Sequence, residues 1–213
     1  MPNWCYTNIS IYHNDQKKLR EFFNKIDKWS KKTFVPNGFD KENLGSHWLG
    51  NIVGNAKLSK WVEKEDGHHD FEPDINCRGS INELQLQPGK IELFTETAWS
   101  PYLEMWQLLC DRYLPDATIC YTAEEGGNGI YNTNDPDMIG KYYIDIVDTP
   151  PDEFETIEGN YEATEEELIK LLQKVLKTKV KDVSKLLDKL EESDHQEWLS
   201  INKWEEVSIS DYN

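Results

Sequence analysis

Arginine is almost missing from this chain. Only Arg20, Arg78 and Arg112 occur in 213 residues, and Lys+Arg number 23 against 40 Asp+Glu, a net charge of −17. A non-specific nucleic-acid binder needs a basic footprint to displace phosphate counterions, so this composition argues against direct nucleic-acid binding. It argues equally against adhesion to an anionic membrane. Long apolar runs are lacking too. With a mean hydropathy of −0.74, no segment is expected to span a bilayer. No charged-then-apolar leader is expected, since Met1 runs straight into Pro2, Asn3 and Trp4. Cysteine is sparse: Cys5, Cys77, Cys110 and Cys120 form no CxxC pair. That spacing indicates neither a zinc knuckle nor a thioredoxin-type motif, and reduced thiols of a cytoplasmic protein are expected. Aromatics are plentiful by contrast. Eight Trp, ten Tyr and seven Phe supply the buried area of a folded core, not of a disordered acidic tail.

Hydrophobic periodicity orders the chain. Cys5, Thr7, Ile9 and Ile11 alternate with Tyr6, Asn8, Ser10 and Tyr12, a strand pattern. Asn14 or Asp15 can cap a helix whose apolar stripe is Leu19, Phe22, Phe23, Ile26 and Trp29. Residues 37–78 read as a long irregular insertion with a short helix near 58–65. Residues 80–97 predict a hairpin around Pro88-Gly89, since a type II turn needs a glycine at its positive-φ position. Ser100-Pro101 predicts a helix start, with Ser100 capping, and the helix runs to about Leu114. Thr118–Ala123 and Lys141–Val147 predict two further strands.

This order predicts an α+β fold: a ferredoxin-like βαββαβ antiparallel sheet with an extra strand and a helical C-terminal extension. Pro150-Pro151 marks a boundary. The expected division is residues 1–149, with the insertion 37–78, and an acidic helical module over 160–213. Pro151 to Asn213 holds 17 acidic and 8 basic residues, a net of −9. Thr164 with Glu167 forms a capping box before Leu168, Leu171, Leu172 and Val175. Asp182 caps a second helix, and Asp194 a third bearing Trp198, Ile201 and Trp204.

Several segments carry a resemblance. They are the opening Met1-Pro2-Asn3-Trp4-Cys5, Phe34-Val35-Pro36, Phe94-Thr95-Glu96-Thr97-Ala98-Trp99-Ser100-Pro101 and Tyr121-Thr122-Ala123-Glu124-Glu125-Gly126. Together they resemble the YubB ferredoxin-like (Api-like) family of plasmid and phage proteins over residues 1–147. The chain departs from that pattern at Tyr102, where a second proline is usual, and around His47-Trp48. The resemblance implies a bacterial mobile element and brings no established activity.

Candidate site residues follow from chemistry. Trp48, Trp99, Ser100, Tyr102 and Glu124 are candidates for ligand contact, the middle three because an aromatic at a helix N-terminus suits an anion. The structural alternative is that Trp99 merely packs the strand end. Glu124, Glu125 and Asp135 contain the carboxylates of an acid–base pair, but 40 acidic residues produce such pairs by chance, and no catalytic residue is assigned. His47, His68, His69, Asp70 and Cys77 lack the spacing of known metal sites, so no metal or cofactor is expected. Gly126-Gly127-Asn128-Gly129 lacks the Lys-Ser/Thr of a phosphate cradle and reads as a loop. Trp4, Tyr6 and Phe94 are sheet aromatics of the kind that stack RNA bases, yet no basic loop accompanies them and packing is expected. Glu165, Glu166, Trp198 and Trp204 are candidates for partner contact.

The favoured reading is a non-catalytic acidic interaction protein of a phage or plasmid, acting in a bacterial cytoplasm. It binds and inhibits a host protein with a basic surface, such as a nucleic-acid-binding defence complex, as an anti-CRISPR protein does. The alternatives are a nucleotide-sequestering protein with a pocket under the Trp/His insertion, a hydrolase using Glu124 or the histidines, and an acidic domain whose charge serves solubility alone.

Overall fold

The alternation at the start of the chain forms strand β1 (Trp4–Tyr12). Cys5, Thr7, Ile9 and Ile11 are buried on one face, while Trp4, Tyr6, Asn8 and Tyr12 face outward. The computed structural model describes residues 3–34, 45–67, 69–157 and 159–212. The expectations for Met1-Pro2, for Val35-Pro36 and the start of the insertion to residue 44, and for His68 lie outside the described residues.

Asp15 caps α1 (Gln16–Lys31). Its carboxylate accepts from the amides of Lys18 and Lys17 at 3.1 and 2.9 Å, which holds it below the usual carboxylate range. Leu19, Phe22 and Ile26 bury the inner stripe of α1. The hairpin β4 (Gly79–Gln87) and β5 (Lys90–Ala98) turns at Gly89, whose φ is +85°. Helix α3 (Leu103–Tyr113), β6 (Thr118–Glu125) and β7 (Ile130–Thr133) follow. Within the first unit the sheet order is β7-β6-β1-β5-β4, with each of these neighbouring pairs antiparallel. The inner face of this sheet and the helices share one core that includes Ile9, Ile11, Phe22, Ile91, Trp106 and Leu109.

The insertion differs from expectation. Helix α2 is Leu49–Asn55, and the stretch expected to be helical is instead strand β2 (Lys60–Glu63), paired with β3 (His69–Glu72). Helix α2 has two glycines and no side-chain cap, so burial of Leu49, Ile52 and Val53 holds it. Lys60-Trp61-Val62 carries the aromatic and β-branched residues that favour a strand.

The domain division also differs. The chain forms two compact units, Met1–Asp135 with Val207–Asn213, and Pro136–Glu206. The strand over Tyr142–Ile146 (β8) belongs to the second unit, where it lies between β9 (Tyr161–Ala163) and β10 (Leu199–Lys203). Ile144 stands opposite Ile201 and Tyr161 there. Helices α4 (Glu165–Val175) and α5 (Val183–Glu191) keep their expected caps, Thr164 with Glu167 and Asp182. The third expected helix is a short 3-10 turn, Asp194–Glu197, that leads into β10. The last residues return to the first unit. Val207 N–H donates to the Thr133 carbonyl at 2.9 Å, and the Tyr121 hydroxyl donates to the Val207 carbonyl at 2.8 Å. Tyr212 then meets the Tyr121 ring edge-on. The second unit has its own core around Ile144, Leu168, Leu172, Leu186 and Trp198. Among the described residues no helix is long and apolar enough to cross a membrane.

Candidate functional site

The helices cover one face of the first unit's sheet, and the other face carries the candidate site. Cross-strand register decides which side chains meet there, because directly opposed residues share a face. Tyr6 on β1 lies between Glu96 on β5 and Glu124 on β6, and Asn8 lies between Phe94 and Thr122. Ser10 faces Glu92, Tyr12 faces Lys90, and Glu83 and Gln85 on β4 stand beside Phe94 and Glu92. The Tyr6 and Phe94 rings stack with an interplanar angle of 2° and centroids 6.1 Å apart. Trp4 and Tyr6 are 42% and 37% exposed, too much for core residues. Of the two packing roles expected of them, core or interface, the core is therefore ruled out.

The face is aromatic and acidic together. An open depression of about 250 Å³ between β1, β5 and β4 is lined by Asn8, Ser10, Glu83, Gln85, Glu92 and Phe94. It falls below the roughly 300–1,000 Å³ of small-molecule pockets and suits a side chain better than a nucleotide. Lys90 shows how a cation sits here. Its ammonium pairs with Glu92 and lies 5.8 Å from the centre of the Tyr12 ring. The Glu92 carboxylate holds that ammonium above the usual lysine range. Glu96 accepts from the Asn82 amide at 2.9 Å, and among the described residues neither Glu83 nor Glu96 forms an ion pair.

Trp99 stands at one end of this face, where β5 stops. Its N–H donates to the Asn3 carbonyl, and Trp4 lies opposite Ala98. The Ser100 N–H donates back to the Ala98 carbonyl at 3.0 Å, so Trp99 is the centre of a γ-turn with φ +73°. A bulky L-residue in this region is strained, yet the indole remains 48% exposed. Trp99→Gly is expected to be more stable than Trp99→Ala by about 1 kcal/mol, since both lose the indole and only Gly accepts positive φ freely. Urea unfolding of the two variants measures it, and equal stabilities would refute the strain.

Other sequence candidates have structural posts. Ser100 does not cap α3. The turn at Trp99 draws the Ser100 carbonyl onto the Thr97 hydroxyl at 2.8 Å, and the cap position falls to Tyr102 without a side-chain bond. The half-buried Tyr102 hydroxyl donates to the Ala98 carbonyl at 2.7 Å. Trp48 is half-buried and lies over Gly50, where a Cβ would stand 2.2 Å from its ring, so it packs against α2 and the core. Among the described residues of the insertion, Leu49, Ile52, Val53, Phe71 and Ile75 pack into the core on the helix side of the sheet. Glu125 is buried and accepts from the amides of Gly127 and Asn128 at 2.9 and 2.7 Å, which holds the glycine loop in a 3-10 turn. Trp198 and Trp204 are both 4% exposed and so are not contact residues. Trp198 stacks on Phe154, and Trp204 meets the Tyr143 ring edge-on. Glu165 and Glu166 are exposed in the first turn of α4, and Glu166 pairs with Lys170.

His47 is held by backbone bonds to Ser30 and Ile81, and Asp70 accepts from the Phe71 amide. Among the described residues no three His, Cys, Asp or Glu are grouped to hold a metal ion. Burial pushes the Cys5 thiol up to about 11 and those of Cys77 and Cys110 to about 12, so all three are neutral thiols near neutral pH.

Compared with known family models, curated proteins and solved structures, the chain has no match. The geometry of the open face therefore carries the functional reading.

Proposed function

We propose that this chain is a non-catalytic binding protein whose open sheet face takes up an arginine- and lysine-rich segment of a protein partner. One observation carries the reading. Tyr6, Phe94 and Tyr12 share this face with Glu83, Glu92, Glu96 and Glu124, and Lys90 already occupies one carboxylate–aromatic seat. A cationic side chain from a partner gains both a carboxylate and an aromatic face in such a place. The phosphate backbone of RNA would meet four glutamates there, so the stacking used by RNA-recognition sheets is disfavoured on this face.

We read the first unit as a ferredoxin-like domain. Its order β1-α1-β4-β5-α3-β6 and the sheet order β6-β1-β5-β4 support that reading. The resemblance to YubB-like proteins supports an origin in a plasmid or phage and action in a bacterial cytoplasm. There the partner with the matching chemistry is a host protein whose basic surface handles nucleic acid, and occupying that surface inhibits it.

Titration of a fluorescent arginine- and lysine-rich peptide tests the proposal. Binding is expected to weaken steeply as salt rises and to weaken again in Tyr6→Ala. Equal affinity for an uncharged peptide of the same length would refute it.

A further inference from the structure

One segment of the second unit carries a charge opposite to that of the whole chain. Seven lysines fall between residues 170 and 189 (Lys170, Lys174, Lys177, Lys179, Lys181, Lys185 and Lys189), against only Asp182 and Asp188. This segment is therefore +5 in a chain of −17. All seven lysines are exposed. Lys170 and Lys177 pair with Glu166 and Glu153, and among the described residues the other five form no ion pair.

The fold distributes them over two helices and the loop between. Lys170 and Lys174 are four apart on α4, and Lys185 and Lys189 are four apart on α5, so each pair shares one helix face. The connecting loop alternates, with Lys177, Lys179 and Lys181 exposed and Thr178 and Val180 half-buried. The Gln173 amide pins that loop by donating to the Val180 carbonyl at 2.8 Å. Leu168, Leu172, Leu186 and Leu190 bury the opposite sides of the two helices in the unit's own core.

We infer that this lysine hairpin binds the phosphate backbone of nucleic acid without reading sequence. Lysine is a compact point charge that meets phosphate from any direction, and arginine, whose planar fork favours bidentate recognition, does not occur after Arg112. Among the described residues the hairpin has no exposed large apolar side chain. A helix lying in a lipid interface needs an apolar face to insert, and a protein interface needs apolar or aromatic anchors. Overall negative charge does not cancel this segment, because charges beyond about 8 Å are screened at physiological salt. The inference does not rest on the sheet face.

Fluorescence anisotropy of the full chain with a labelled random-sequence DNA duplex and a labelled oligo-dT strand tests it. Both probes are expected to bind at low salt. Affinity for the duplex is expected to fall about 500-fold between about 50 and 200 mM salt if five lysines each neutralise one phosphate. Glu replacing Lys174, Lys179, Lys181 and Lys185 together is expected to abolish binding, and the matching Gln variant to weaken it, with peptide capture by the sheet face unchanged in both. The idea is overturned if neither probe binds at low salt, or if both variants bind as the parent does. Capture of phosphatidylserine vesicles without capture of DNA would overturn it in favour of lipid. Low-salt self-association that the lysine variants abolish would overturn it in favour of a second copy's acidic face.

Discussion

Changing Glu83, Glu92 and Glu96 together to lysine is expected to cut the affinity for an arginine- and lysine-rich peptide by about 100-fold. The three carboxylates share the open face with Tyr6 and Phe94 and stand within one strand of each other. Each change replaces an attraction by a repulsion, worth about 1 kcal/mol for half-exposed groups, and about 1.4 kcal/mol makes a factor of ten. Within the fold the half-exposed Lys90–Glu92 pair and the exposed Asn82–Glu96 hydrogen bond are lost, so the melting temperature should fall only slightly. Changing Glu165 and Glu166 to lysine in the second unit serves as the control and should leave peptide affinity as it was. An equal loss from both sets would mean that net charge, not the sheet face, attracts the peptide.

The second large effect is on stability. Trp106→Ala is expected to destabilise the first unit by about 3–5 kcal/mol. The indole is 1% exposed and belongs to the core shared by α1, α3 and the sheet, so its removal leaves a cavity in a close-packed interior. Denaturant titration followed by circular dichroism reads it. A loss below about 1 kcal/mol would show that the sheet face is not held by this core.

Much of this architecture is written locally. Burying one side of a sheet forces alternation, so Trp4–Tyr12 reads as a strand without further information, and Pro88-Gly89 marks the hairpin that follows. The caps at Asp15, Thr164 and Asp182 are equally local, since each satisfies amides within three residues of itself. The misread segments depend on distant partners. Leu49–Asn55 is helical because its apolar residues are buried, against two glycines in its own sequence. Ile201 and Trp204 sit at helical offsets from Trp198, yet Ile201 pairs with Ile144 across a sheet. The early β8 pattern is visible, but not which sheet it joins.

The site was half visible. Trp4, Tyr6 and Phe94 stand out as strand aromatics, and only the packing side of the helices decides that they are exposed. Glu83, Glu92, Glu96 and Glu124 lie far apart in sequence and gather through register alone. Trp198 and Trp204 misled because a tryptophan looks the same in a core as at a surface. The lysine segment escaped for another reason. A net of −9 over Pro151 to Asn213 averages it away, although seven of the eight basic residues there lie within 170–189.

Nuclear magnetic resonance of the isotope-labelled chain, with the arginine- and lysine-rich peptide added stepwise, tests the central claim most directly. The account predicts that the amide shifts move along Trp4–Tyr12 and Lys90–Glu96, together with the indole N–H signals of Trp4 and Trp99, while those of Trp198 and Trp204 stay in place. Movement confined to residues 136–206, or spread evenly over every acidic stretch, would contradict it.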